Sequence, residues 1–157
     1  SSDVNAVAHG RQVCRQLDGG APQQGVVADK FAVEAFCPQF AEGFRILDTA
    51  TIAGAFVLTD SIGLGAIAAD GGSCGGTGGY SDIGPSTPVT VANDRGEVLT
   101  TTSLGQGKGD AAQCTFSFSF PVTEGQDRYV VSVGSRGQFT YTFGQLTAHG
   151  VQIRLGH

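Results

Sequence analysis

Three aspartates, Asp60, Asp70 and Asp82, flank a glycine-rich stretch and are the residues best suited to bind a metal ion. Ca²⁺ takes carboxylate and carbonyl oxygens from loops, and the loops at one end of a β-sandwich can supply them. Asp60, Asp70 and Asp82 are therefore a candidate calcium site. The interpretation we favour is that all three are solvated turn residues and that no cofactor is needed.

Catalytic side chains are few. The chain has three histidines: His9 in a predicted helix, His149 in a predicted exposed turn, and His157 at the end. Gly71-Gly72-Ser73-Cys74-Gly75 resembles the Gly-x-Ser-x-Gly elbow of serine hydrolases only superficially, since Cys74 is predicted to be oxidised. Gly71–Gly79 also lacks the Gly-Lys-Ser/Thr ending of a phosphate-binding loop. We therefore predict no catalytic residues and no enzymatic activity.

Aromatic side chains alternate with polar ones in two segments. They are Phe116, Phe118 and Phe120 in the first, and Phe139, Tyr141 and Phe143 in the second. Period-two alternation is typical of a strand with one buried face. The six rings either line a pocket for a lipid or other apolar ligand, or form the core itself, which a sandwich of this size needs.

Four cysteines, Cys14, Cys37, Cys74 and Cys114, permit three disulfide pairings. Their spacing does not fit a zinc site. We predict the pairs Cys14–Cys37 and Cys74–Cys114, one in each half of the chain, and hence an oxidising compartment. The start at Ser1, without an apolar signal segment, is what we expect of a mature secreted protein.

Composition excludes several classes of partner. The net charge is −5 and the nine Lys and Arg residues are scattered, whereas nucleic-acid binding needs a clustered basic face. The longest apolar stretch, Ala50–Leu58, is interrupted by Thr51 and Gly54 and is far shorter than the ~20 residues of a membrane span. We therefore predict no nucleic-acid partner and no transmembrane segment.

The N-terminal part of the sequence, residues 1–40, is predicted to be a disulfide-tied helical segment. Val4, Val7 and Val13 begin a partial helical stripe, Ser2 or Asp3 can cap it, and Gly19-Gly20 ends it. A straight helix pair would leave Cys37 ~15 Å beyond the level of Cys14, too far for a disulfide. The helices must therefore cross steeply or be separated by a turn at Pro22–Gly25. We favour the turn, with a second helix from Val26 to Phe36.

Residues 44–157 are predicted to form an antiparallel β-sandwich of about seven strands. Short strands separated by turns every 8–12 residues favour that architecture. The predicted strands are Ile52–Thr59, Leu64–Ala68, Pro88–Ala92, Glu97–Ser103, Cys114–Phe120, Arg128–Val133, a strand through Phe139–Phe143, and Gly150–Leu155. The fold class is therefore α+β.

Three segments carry a resemblance to a known family. They are Ala28–Phe40, with its closing Phe-Cys-Pro, then Gly78-Gly-Tyr-Ser-Asp-Ile83, and the terminal Tyr141-Thr-Phe and Leu155-Gly156. Over about 40 residues the helical part resembles an actinobacterial and mycobacterial secreted domain family of unknown function. The β-rich remainder resembles extracytoplasmic portions of actinobacterial envelope proteins. The resemblance implies a secreted or cell-envelope location, with the signal peptide removed, and no particular activity.

The sequence thus favours a secreted or envelope-associated binding protein without enzymatic activity, whose partner is an envelope component or another protein. A carrier of a lipid or other apolar ligand is the first alternative, and a calcium-stabilised sandwich module is the second. An enzyme of unrecognised type comes last. The sequence makes no prediction of the oligomeric state.

Overall fold

The computed structural model describes residues 2–157 and divides them into two compact units. One unit contains the residues up to Thr49 together with Thr123–Gly125, and the other contains Ala50–Val122 and Gln126–His157. The short 123–125 segment belongs to the first unit because Glu124 bonds Asp48 twice. Its N–H donates to the Asp48 carbonyl (2.8 Å), and its Oε1 accepts from the Asp48 N–H (3.1 Å).

The first unit is built on two helices. Helix α1 spans Ser2–Asp18 and α2 spans Val27–Phe36, as predicted, whereas the side-chain caps proposed at Ser2 or Asp3 lie outside the described residues. The prediction of a turn between the helices is also confirmed, because strand β1 (Gln24–Gly25) separates them and pairs in parallel with β2 (Arg45–Ile46).

A small core and one disulfide hold this helical unit. Cys14 and Cys37 are bonded as predicted, with their Cα atoms 5.9 Å apart. The buried apolar residues are Leu17, Val33, Cys37 and Phe44. None of the helices that the structure describes has the length and apolar content needed to cross a bilayer.

The second unit is the predicted sandwich, with more strands than seven. In chain order its strands are β3 (Thr49–Thr59), β4 (Ile67–Asp70), β5 (Ser73–Gly76), β6 (Pro88–Asn93), β7 (Val98–Ser103), β8 (Gly107–Gly109), β9 (Gln113–Thr123), β10 (Tyr129–Val133), β11 (Arg136–Tyr141) and β12 (Val151–Gly156). They form a four-stranded sheet in the order β11-β10-β6-β7 and a six-stranded sheet in the order β12-β3-β9-β8-β5-β4. The pairing of β12 with β3 is parallel, a departure from the predicted antiparallel pattern.

The core lies between the two sheets. In β9 the buried positions alternate as the sequence predicts, with Phe116, Phe118 and Phe120 facing inward. Val131 and Val133 of β10 belong to the same cluster from the opposite sheet. The alternation arises because successive strand residues point to opposite faces.

The glycine-rich segment is more ordered than the sequence suggests. The predicted strand Leu64–Ala68 followed by a long loop is wrong: β4 begins only at Ile67 and forms a hairpin with β5. The second disulfide, Cys74–Cys114, is confirmed, with a Cα separation of 5.9 Å. Gly107 permits this arrangement, because a Cβ there would lie 2.2 Å from the Cys74 carbonyl oxygen and 2.7 Å from Cys114 Sγ.

Candidate functional site

Asp60, the first of the predicted calcium ligands, is a structural residue. Its side chain is buried, and each oxygen accepts a backbone hydrogen bond: Oδ1 from the N–H of Leu64 (2.8 Å) and Oδ2 from the N–H of Ala66 (2.9 Å). These bonds hold the pKa of Asp60 below its ordinary value, since they favour the charged form. Asp60 therefore fixes the loop that follows β3.

Asp82, the second predicted ligand, is held by an arginine from a distant strand. Arg136 donates from Nε to Asp82 Oδ2 (2.9 Å) and from Nη2 to Oδ1 (2.6 Å), and Nη2 also donates to the Gly79 carbonyl. The guanidinium lies 5.0 Å from the centroid of the Tyr80 ring. Bonding to Arg136 lowers the pKa of Asp82 and raises that of Arg136. The cluster fastens the segment between β5 and β6.

The calcium prediction on Asp60, Asp70 and Asp82 is therefore corrected. Asp70 lies apart, at the end of β4. Among the side chains of residues 5–157, which the structure describes, there is no group of three or more acidic, histidine or cysteine residues arranged to bind a metal ion. The carboxylate of Asp60 instead holds the loop after β3, and that of Asp82 binds Arg136.

Of the six aromatic residues proposed to line a pocket, three are buried in the core and three are partly buried at its edge. Phe116, Phe118 and Phe120 are buried in the sandwich, and the Phe118 and Phe120 rings stack with centroids 6.2 Å apart. The Phe118 ring packs so closely over Gly54 that a Cβ there would lie 2.4 Å from it. Phe139, Tyr141 and Phe143 are partly buried and pack against the same core. Of these six residues, Tyr141 lines a surface concavity, described below.

The end of β11 is the clearest local correction to the sequence prediction. The strand stops at Tyr141, and helix α3 occupies Phe143–His149. Thr142 Oγ1 accepts from the N–H of Gln145 (3.1 Å), and Gln145 Oε1 accepts from the N–H of Thr142 (2.9 Å). This reciprocal capping box starts the helix. Phe143 is therefore helical, and His149 lies in the last turn of α3 instead of the predicted β-turn.

Gly150 ends α3 and brings it against β3. Its φ is +66°, and a Cβ at this position would lie 2.4 Å from the Ala53 carbonyl oxygen. The N–H of Gly150 donates to the Leu146 carbonyl (2.9 Å). Only glycine fits this close approach without strain.

The junction of β3, α3 and β12 encloses a surface cleft of about 430 Å³, which we call the α3 cleft. Its lining consists of Ala50–Ala55, Leu146, Thr147, His149, Gly150 and Gln152. A second concavity of about 240 Å³, lined by Thr140, Tyr141 and Gln145, shares His149 and Gly150 with it. Neither concavity is lined by an acidic residue, a lysine or an arginine.

Three polar side chains of the α3 cleft are available to a ligand. Thr51, His149 and Gln152 make no side-chain hydrogen bond with any of the residues that the structure describes. Thr51 and Gln152 lie on paired strands, with Gln152 opposite Ala55 in the parallel ladder of β12 and β3. In the neighbouring concavity, burial raises the pKa of the Tyr141 hydroxyl, which keeps it protonated and able to donate. Neither Thr51 nor Gln152 belongs to a sequence motif, so this site could not be recognised before the fold was known.

The helical unit has a concavity of its own, of about 370 Å³, which we call the α1 groove. His9 Nε2 donates to Asp29 Oδ1 across it (2.7 Å), and Asp29 Oδ2 accepts from the N–H of Val26 at the start of α2 (3.0 Å). Gln12, Gln16 and Gln24 also line the groove. Asp29 thus bonds both His9 and the start of α2, so neither side chain is free for a ligand.

All four cysteines are in disulfides, so none is a free thiol. Across residues 5–157, whose side chains the structure describes, no serine hydroxyl bonds a histidine side chain. The side chains of the α3 cleft can donate and accept hydrogen bonds.

Comparison of the chain with protein-family models, curated proteins and solved structures finds no significant match. The resemblance to an actinobacterial secreted family therefore stays a prediction.

Proposed function

We propose that this chain is a secreted or cell-envelope-associated binding domain without enzymatic activity, and that the α3 cleft is its ligand site. The observation that carries the proposal is the set of three unbonded polar side chains, Thr51, His149 and Gln152, around one cleft. Unbonded hydroxyl, imidazole and amide groups converging on a concave surface are the usual equipment of a small-ligand site.

The two disulfides support the location. Each ties one unit, and no cysteine is left free. Disulfides persist in oxidising compartments and are rare in reducing ones. A secreted or envelope protein meets that requirement.

The chemistry of the cleft favours an uncharged, hydroxyl-rich ligand, and we assign it to a saccharide of the cell envelope. The lining contains no acidic residue, lysine or arginine to pair with an ionic ligand. Hydroxyl and amide groups both donate and accept, and so complement Thr51, His149 and Gln152. Apart from Ile52, alanines and a glycine form the rest of the β3 wall, and such small side chains let a sugar ring approach the backbone closely.

Isothermal titration calorimetry with three uncharged disaccharides, N,N′-diacetylchitobiose, cellobiose and maltose, tests this assignment. We expect at least one to bind the wild-type protein. Gln152→Ala should then weaken binding about fivefold, since a lost ligand hydrogen bond costs about 1 kcal/mol. The matched control is Gln12→Ala in the α1 groove, which should leave affinity unchanged.

A steric variant gives an independent test. Ala53→Leu would fill the α3 cleft and should abolish binding, whereas Ala69→Leu, at an exposed position on β4, should not. Failure of all three sugars to bind would refute the saccharide assignment. Turnover of any of them that is lost in His149→Ala would refute the absence of enzymatic activity.

A further inference from the structure

A second concavity adjoins the α3 cleft, and we call it the Tyr141 concavity. It is lined by Thr140, Tyr141 and Gln145, and it shares His149 and Gly150 with the cleft. Of the two shared residues only His149 has a side chain. A ligand in the cleft can therefore continue into the Tyr141 concavity over the backbone of Gly150.

The volumes of the two concavities indicate a subsite instead of a separate binding site. The Tyr141 concavity, of about 240 Å³, is smaller than the roughly 300–1,000 Å³ of typical ligand pockets, whereas the α3 cleft, of about 430 Å³, lies within that range. The smaller volume is a little more than half of the larger. When the cleft holds the two units of a disaccharide, the Tyr141 concavity therefore has room for one further unit.

The polar groups of the Tyr141 concavity are held by the fold and keep bonding capacity for a ligand. Gln145 Oε1 accepts from the N–H of Thr142 (2.9 Å), which fixes the amide. Its Nε2 group, like the Tyr141 hydroxyl, makes no hydrogen bond with any residue that the structure describes. The backbone of Tyr141 is held by pairing with Tyr129 of β10. These two groups therefore have little conformational freedom left to lose on binding.

The Tyr141 side chain suits a sugar unit, which has an apolar face and a polar rim. A tyrosine presents an apolar ring and a hydroxyl tip that donates and accepts. The ring is partly buried against the sandwich core, which fixes it and leaves the rest exposed. As in the α3 cleft, no acidic residue, lysine or arginine lines the concavity. The two concavities therefore favour the same class of ligand, an uncharged saccharide.

We propose that the Tyr141 concavity is a subsite for a third sugar unit, so that the ligand is a linear saccharide of at least three units that runs from the α3 cleft past His149 to Tyr141. This inference rests on the assignment of the α3 cleft to a saccharide. Tyr141 sets the chain length that binds best, because it contacts only the unit that extends beyond the cleft.

Isothermal titration calorimetry that compares each disaccharide with its trisaccharide tests the subsite. The pairs are N,N′-diacetylchitobiose with N,N′,N″-triacetylchitotriose, cellobiose with cellotriose, and maltose with maltotriose. For a sugar that binds, we expect the trisaccharide to bind at least about fivefold more tightly, which is what one additional hydrogen bond supplies. Without a third subsite the gain would be about twofold, because a trisaccharide can occupy a two-unit site in two registers.

The variant Tyr141→Phe assigns the gain to this concavity, since it removes the hydroxyl and keeps the ring that packs against the core. It should weaken trisaccharide binding about fivefold and leave disaccharide binding unchanged. Tyr80→Phe is the matched control, because Tyr80 is also a partly buried tyrosine but lines neither concavity. It should change neither affinity.

The outcomes separate the subsite from the assignment on which it rests. A disaccharide that binds, with a trisaccharide no more than about twofold tighter, would overturn the subsite and leave the α3 cleft as a saccharide site. The subsite is also wrong if Tyr141→Phe leaves trisaccharide affinity unchanged or weakens both ligands equally. Absence of binding by every sugar would instead refute the saccharide assignment, and the subsite with it.

Discussion

The α1 groove and the α3 cleft are similar in size and in residue types, yet they differ in what their histidines do. In the groove, His9 bonds Asp29, whose second oxygen holds the start of α2. In the cleft, His149 has no bonding partner among the described residues. A polar group that the fold already uses contributes to stability, whereas one left unbonded is free to meet a ligand.

The two concavities also differ in the rigidity of their polar lining. Gln12 and Gln16 stand on the surface of α1, and ordering such long side chains costs conformational entropy. Thr51 and Gln152 stand on strands joined by the β3–β12 ladder. Gln152 bears the same entropy cost as Gln12 and Gln16, so the advantage of the cleft is Thr51, a short unbonded polar side chain of a kind that the groove lining lacks.

The largest effect should come from breaking the wall of the α3 cleft. Gly150→Ala should lower the free energy of unfolding of the sandwich by about 2–4 kcal/mol, because it combines positive-φ strain with a clash against the Ala53 carbonyl. Urea unfolding measures this. Gly144→Ala, within α3 and without such a clash, should change stability by no more than about 1 kcal/mol. Equal effects of the two substitutions would refute the close approach at Gly150.

The next largest change in stability should separate a polar residue that the fold bonds, Asp29, from one that it leaves unbonded, His149. Asp29→Ala should destabilise the helical unit by about 1–2 kcal/mol, since it removes a helix-capping acceptor and the partner of His9. His149→Ala should change the stability of the sandwich by less than about 0.5 kcal/mol. Amide hydrogen exchange in α2 and in β3 reports each unit separately. A destabilising His149→Ala would mean that His149 is structural too.

A smaller change in stability is expected from the Asp82–Arg136 ion pair. Like His9 and Asp29, its two side chains are already bonded within the fold. The folded pKa of Asp82 is lowered, so its contribution is present above the unfolded value of about 3.9 and is lost as the pH falls through the folded pKa. Asp82→Asn should therefore destabilise the sandwich at pH 7, and the difference from wild type should shrink below about pH 4.

Thermal unfolding from pH 2 to pH 7 would follow this difference. Asp94→Asn makes the same charge change at an exposed hairpin residue and serves as the control. A difference between Asp82→Asn and wild type that is constant across the whole range would contradict the ion pair as the cause.

Local patterns predicted much of the architecture. The stripe and stop signals located both helices, and the alternation in Cys114–Phe120 identified the central strand, because burial on one face imposes period two. The disulfide pairs were predicted because each lies within one half of the chain, and both are confirmed. Helix α3 was missed because Phe139, Tyr141 and Phe143 continue a strand pattern, although Thr142 and Gln145 form a capping-box signature that could have revealed it.

The candidate site could not be predicted because its parts are distant in sequence. Thr51 and Gln152 are brought together only by the parallel pairing of β3 with β12. Distance in sequence also explains why Asp82 was proposed as a calcium ligand, since its bonding partner, Arg136, is 54 residues away. Nothing in the sequence near Asp82 indicates that its carboxylate is already bonded.

A ¹H–¹⁵N NMR titration of the whole chain with the same three disaccharides shows whether the α3 cleft is the ligand site. We expect shift changes at amides of β3, α3 and β12 around Thr51, His149 and Gln152, and none around His9 and Asp29. Changes confined to the α1 groove, or no changes with any of the sugars, would contradict that assignment.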